Sequence, residues 1–177
     1  MGWIQAQANR VEGNYRQQQA ASSWSRPILG RIKLNVDAAV RDSGCGLGWC
    51  LWDERGRFVT GVACPREGKL SPLAAELIGI RETLSWLQDY EWVDIDMESD
   101  SSCAISEILK GTSDSSIGVI AGDIRNLSRH FSSISFSHVK RSANKSVHAL
   151  ARATCSVSEQ HTWFFYPPSF FFMYSGL

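Results

Sequence analysis

The chain lacks net charge. Eighteen Lys and Arg balance eighteen Asp and Glu over 177 residues, which excludes a polybasic nucleic-acid binder and an acidic solvating tail. Any contact with nucleic acid must therefore come from local charge. Paired cysteines are missing too. Cys45, Cys50, Cys64, Cys103 and Cys155 are odd in number and form no C-x-x-C pair. That disfavours a zinc site on paired thiols and a disulfide framework, and leaves free thiols in a reducing compartment as the plain reading. Met1–Gln19 holds no apolar core of a secretory signal, so the chain is expected inside the cell, in nucleus or cytoplasm, and not secreted. Ala6 stands where an N-myristoylation signal requires Ser or Thr. No uninterrupted apolar run reaches the about 20 residues of a membrane span, so no membrane association is expected.

What is present suffices for one domain of 19.7 kDa, with 44% hydrophobic and 20% charged residues. Residues 1–30, rich in Gln, Ala, Ser and Asn, read as a flexible arm that ends in Trp24-Ser-Arg-Pro27-Ile-Leu-Gly30. Residues 31–157 carry the domain. Residues 158–177 read as an aromatic-rich tail foreign to it, with eight of the chain's nineteen aromatics between Trp163 and Tyr174.

Within 31–157 the hydrophobic periods are legible. Ile32, Leu34 and Val36 alternate with Lys33, Asn35 and Asp37, which predicts a first strand. Gly44–Trp52 and Arg57–Cys64 are two more, joined by Asp53-Glu-Arg-Gly56 as a hairpin turn. Ser71-Pro72 opens a helix with Leu73, Leu77, Ile80, Leu84 and Leu87 on one stripe. Val93, Ile95 and Met97 predict a fourth strand, and Asp100–Lys110, closed by Gly111, predicts a helix. Ile117–Phe131 reads as a helix, Ser133–Val139 as a fifth strand, and Ala143 through Thr154 as a last amphipathic helix. The order β-β-β-α-β-α-α-β-α belongs to a mixed-sheet α/β domain.

Three acids occupy positions that solvated charge need not take. Asp37 ends the first strand on the face opposite its aliphatics, and Asp100 ends the fourth strand. Glu76 lies about 60° from the centre of the first helix's stripe, at the helix–sheet seam. Three converging carboxylates repel one another unless a divalent cation neutralises them. Hard oxygen donors in that number suit Mg²⁺ or Mn²⁺. Charge is also segregated. Ile124–Ser158 holds Arg125, Arg129, Lys140, Arg141, Lys145 and Arg152 with no acid, whereas Asp89–Asp100 holds six acids with no base. An acidic metal site beside a basic segment suits a phosphodiester substrate. His130, His138 and His161 have no zinc spacing, and His148 sits at the edge of the last helix's stripe.

Lys33-Leu-Asn-Val-Asp37, Gly44-x-Gly46-x-Gly48-Trp49, Ser71-Pro-Leu-Ala-Ala-Glu76-Leu, Glu98-Ser-Asp100-Ser, His138-Val-Lys-Arg141-Ser-Ala-Asn144 and His148-Ala-Leu-Ala-Arg152 follow one another in order. Together they resemble the plant ribonuclease H-like domain. This type stands at the ends of non-LTR retroelement polyproteins and in small stand-alone plant proteins. The lead-in with Trp24, Pro27 and Gly30 resembles it as well, so the similarity spans residues 24–155.

The resemblance implies a five-stranded mixed sheet with helices on both faces. It implies a hydrolase that cuts the RNA strand of RNA–DNA hybrids, as a monomer. It assigns Asp37, Glu76 and Asp100 to a site for Mg²⁺ or Mn²⁺, expected as two ions, with His148 where the wider family has a fourth Asp. A neutral imidazole adds no negative charge, which either favours Mn²⁺ or loosens one ion. Asn35, Asn144 and the Gly44–Gly48 turn are candidate contacts to the 2′-hydroxyls, and Arg141 and Lys145 are candidates for phosphate. Ala38 replaces the glycine that often follows the first Asp, and no basic protrusion is apparent. The alternative is a nucleic-acid-binding module of retroelement origin with weak or no catalysis.

Overall fold

A computed structural model of the chain describes residues 20–90, 94–111, 113–154 and 158–171. Strands β1 (Ile32–Val40), β2 (Gly44–Trp52) and β3 (Phe58–Glu67) form an antiparallel meander. The turn between β2 and β3 closes as its residues dictate. Gly56 takes φ +77°, and the Asp53 carboxylate accepts from the Arg55 and Arg57 N–H groups. Helix α1 (Pro72–Leu87) starts where the Ser71 hydroxyl accepts from the Ala74 N–H.

Strand β4 (Asp94–Ser99) runs parallel to β1, helices α2 (Ser102–Leu109) and α3 (Ser116–Ser128) follow, and β5 (Ser133–His138) runs parallel to β4. A single 3₁₀ turn, Arg141–Ala143, leads into α4 (Lys145–Ala153). Val93, expected in the fourth strand, lies outside the described residues. Helix α2 is shorter than expected. It begins after Ser101, whose hydroxyl caps the Ala104 N–H, and ends at an extended Lys110, not at a left-handed glycine.

The sheet has six strands, in the order β5-β4-β1-β2-β3-β6. The sixth, β6 (His161–Phe164), corrects the expected five and comes from the segment read as a foreign tail. Aromatic burial holds it there. Phe171, 1% exposed, enters between Trp52 and Phe58, and Thr60 Oγ donates to the Trp163 carbonyl. The other end of the chain covers the same face. Trp24 packs on Trp52 with ring centroids 4.9 Å apart.

The two faces of the sheet differ in kind. On the first, Leu34, Val36, Leu47 and Val62 meet Leu77, Ile80, Leu84 and Leu87 of α1 and Ile124 of α3, all fully buried. On the second, α4 lies over β1 and β2, and Val147 and Leu150 join Cys50, Trp52 and Phe171. Gly46 and Gly48 permit this approach. A Cβ on Gly48 would stand 2.6 Å from the Ala151 nitrogen and 2.9 Å from the Val147 carbonyl. These glycines lie in a strand beneath a helix, not in a turn open to nucleic acid, which corrects their expected role. Among the described residues no helix is long and apolar enough to cross a membrane.

Candidate metal centre and its surroundings

The pairing of β1 with β4 ends at Val36 and Ser99. Beyond that point β1 continues to Val40 with one edge unpaired among the described residues, so groups from the two faces can meet around it. Asp37 is the first residue past the junction. Asp100 follows the last residue of β4, and Glu76 reaches the gap from α1. One oxygen from each of the three lies within 4.8 Å of the others. A crevice outside the carboxyl ends of strands is where open α/β sheets place ligands.

Electrostatics follow from this crowding. Asp37 is fully buried, and burial together with Asp100 pushes its pKa up to about 6, against a counteracting hydrogen bond from His148. Glu76 is pushed up to about 9 by burial and then by Asp37 and Asp100, although the Ala38 N–H bonds to it. Asp37 Oδ1 and Glu76 Oε2 are buried with no hydrogen-bond partner among the described residues. Buried acceptors of this kind are costly unless something satisfies them. A hard cation such as Mg²⁺ or Mn²⁺ fits this donor set.

The remaining oxygens are held by the chain itself. His148 Nδ1 lies 2.7 Å from Asp37 Oδ2. Arg141 Nε donates to Asp100 Oδ2 at 3.0 Å, and Asn144 Nδ2 approaches Asp100 Oδ1 at 3.5 Å. The four residues expected at the metal site, Asp37, Glu76, Asp100 and His148, are thus brought together.

The expected nucleic-acid contacts separate. Arg141 and Lys145 are exposed, whereas Asn35 and Asn144 are 2% and 1% exposed. Their amides are used internally. Asn35 Nδ2 donates to Glu98 Oε2 and Asn144 Oδ1, and Asn144 Nδ2 donates to the Val36 carbonyl. These two residues brace the seam between β1, β4 and α4 and do not face solvent, which corrects the expectation. The basic segment is also divided. Arg125 donates to the carbonyls of Glu107, Ile108 and Lys110 at the end of α2 and so serves as a helix cap.

Sequence reading missed the ion pair of buried Lys33 with half-buried Glu98, at 2.6 Å, and Trp24 above it. The Lys33 ammonium sits 5.6 Å from the centre of the Trp24 ring and donates to the Ser25 carbonyl. The signal was present, since Lys33 shares the alternating face with Asn35 and Asp37. Nothing in the alternation showed that a helix and the lead-in bury that face.

Comparison with solved structures finds this fold elsewhere. RNase H1 from the halophilic archaeon Halobacterium salinarum matches with a TM-score of 0.65 at 24% identity, over 71% of this chain and 98% of that one. The N-terminal RNase H domain of a Mycobacterium tuberculosis protein matches with a TM-score of 0.64 at 15% identity, over 71% and 94%. LC11-RNase H1, isolated from compost and solved in complex with an RNA/DNA hybrid, matches with a TM-score of 0.60 at 16% identity, over 68% and 94%. No match was found among curated proteins. Residues 35–154 match the family model described as reverse transcriptase-like. That segment runs from within β1 to the end of α4 and includes the whole acid cluster, and the chain belongs to this family, with a ribonuclease H-like fold.

Proposed function

We propose that the chain is a divalent-metal-dependent endonuclease that hydrolyses the RNA strand of RNA–DNA hybrids. The observation that carries this reading is the meeting of Asp37, Glu76 and Asp100 at the end of the β1–β4 pairing, with two buried carboxylate oxygens unpartnered. Each acid would hold Mg²⁺ or Mn²⁺ through one oxygen, and Asp37 and Asp100 would take part in holding a second ion. A bound cation supplies a Lewis acid and a water of lowered pKa.

The chain supplies orientation and charge. His148 fixes the Asp37 carboxylate through Nδ1. When that nitrogen carries the proton, Nε2 is left as an acceptor able to take up a proton released in hydrolysis. Arg141 and Lys145, exposed beside the crevice, are suited to hold phosphates. Asn35 and Asn144 are too deeply buried to read 2′-hydroxyls, so choice of the RNA strand falls to exposed groups around the crevice.

Incubation of a labelled hybrid with the protein and Mg²⁺ or Mn²⁺ tests this. Cleavage confined to the RNA strand, and lost in Asp100→Asn, is the expected result. Retained binding without cleavage in either metal would favour a nucleic-acid-binding module. The hydrogen bonds that His148 and Arg141 already make to two of the acids are the observation on that side. In His148→Asp, a fourth carboxylate should shift preference toward Mg²⁺.

A further inference from the structure

Arg141 stands at the mouth of the acid cluster. Its Nε donates to Asp100 Oδ2, and its side chain is 66% exposed against 9% for Asp100. The guanidinium stays charged at any physiological pH, so a change in pH does not release Asp100; a competing anion can. The backbone that carries it is fixed. Lys140 N–H donates to the Ala21 carbonyl at 2.9 Å, the Ser142 hydroxyl donates to the Ser22 carbonyl, and Asn144 N–H donates to the Arg141 carbonyl at 3.0 Å. Only the side chain is free to leave. The other acids do not share this arrangement: Asp37 is capped by an imidazole from inside, and Glu76 by the Ala38 N–H.

We infer that Arg141 is a mobile counter-ion of the metal site, seated on Asp100 in the free protein and drawn to a substrate phosphate when nucleic acid binds, so that nucleic acid and divalent cation load cooperatively. This rests on the proposed metal-dependent function. A guanidinium on Asp100 occupies an oxygen and neutralises a charge that the cation needs. A phosphate that pairs with the same guanidinium frees both. Linkage is reciprocal, so the cation must tighten nucleic-acid binding by the factor by which nucleic acid tightens the cation.

The test is a Mn²⁺ titration by calorimetry of the full chain, alone and saturated with a hybrid whose RNA strand carries 2′-O-methyl sugars and resists cleavage. In wild type the hybrid should tighten Mn²⁺ binding within the about 5–150-fold range usual for coupled sites. In Arg141→Gln the free protein should bind Mn²⁺ several-fold tighter, and the gain from hybrid should shrink by a similar factor. Arg141→Lys should fall between, and thermal melts should show all three proteins folded. Lys145→Gln removes an exposed base that does not touch Asp100. If it tightens Mn²⁺ as much as Arg141→Gln does, the effect is one of general charge and the inference falls. Equal coupling in wild type and Arg141→Gln overturns the inference alone. A wild-type chain that binds no Mn²⁺ with or without hybrid overturns it together with the function on which it rests.

Discussion

The two faces of the sheet are closed by different chemistry. The first is sealed by three helices through an apolar cluster, mostly aliphatic with Trp49 and Phe131 among it. The second is closed by the short helix α4, the lead-in around Trp24 and the segment ending in Phe171, and it buries a lysine, two asparagines and Asp37 beneath them, with Glu98 half-buried beside the lysine. Dispersion and apolar burial are non-directional, so the first face tolerates changes of shape that conserve volume. Hydrogen bonds and ion pairs are directional, so each polar group on the second face needs its own partner. The carboxylates of the candidate metal site gather where these two regimes meet, on β1 past its pairing with β4.

The contrast can be broken most severely at Lys33. Lys33→Met leaves the half-buried Glu98 without its counter-ion and should cost up to the about 3–5 kcal/mol of a broken buried pair, whereas Lys33→Met with Glu98→Leu should recover most of it. Urea melts of the single and double variants decide this; equal losses would mean that the pair is solvated. On the first face, Leu84→Ala should cost about 2–5 kcal/mol by leaving a cavity, while the folded fraction still cleaves hybrid with unchanged metal preference. Gly48→Ala pushes α4 off the sheet and should cost about 1–3 kcal/mol through overpacking. It should also weaken cleavage, because His148 rides on that helix. A Gly48→Ala protein with wild-type stability and rate would show that the close approach is dispensable.

Much of the fold was legible because it rests on periodicity. The meander, the stripe of α1 and the alternation of Ile95 with Met97 were all readable, as was the meeting of Asp37, Glu76 and Asp100 from two strand ends and a helix seam. The second face was not. Alternation marks Lys33, Asn35 and Asp37 as polar, and polar normally means solvated. The three are buried because Trp24 and α4 cover them from distant parts of the chain. The sixth strand was hidden for a related reason: its aromatic segment has no period, and only the Trp52–Phe58 surface gives Phe171 a place.

Two smaller effects sharpen the comparison. Asp100→Asn removes one of three crowded carboxylates. Its melting temperature without metal should equal or exceed that of wild type, while cleavage falls to background. A large loss of stability would make Asp100 a structural partner of Arg141 and Asn144.

The last effect is a slope against pH. Asp37 and Glu76 bind protons more tightly in the folded protein than at their ordinary values of 3.8 and 4.5. The stability they contribute is therefore complete below those values. It is lost as pH rises through about 6 for Asp37 and about 9 for Glu76. Melts in EDTA across that window should show wild type weakening toward alkaline pH. Glu76→Gln should flatten the upper part of the curve, and Mg²⁺ or Mn²⁺ should reverse the trend. A wild-type curve as flat as that of Glu76→Gln would remove the case for crowding.

The amides beneath α4 have a polarity as well as a position. Trp24 Nε1 can only donate, and it points at Asn35 Oδ1. The Asn35 nitrogen must then face Asn144 Oδ1, and the Asn144 nitrogen must face the Val36 carbonyl. No amide in this row can be turned over without setting donor against donor or acceptor against acceptor. The row therefore reads in one direction, from an indole in the lead-in to the backbone next to Asp37. Exchanging either asparagine for an isosteric aspartate would keep its shape and reverse its sense, with a second acceptor pressed against an acceptor. Orientation of this kind lets a residue some distance along the chain hold a carboxylate's neighbourhood in register without touching the carboxylate.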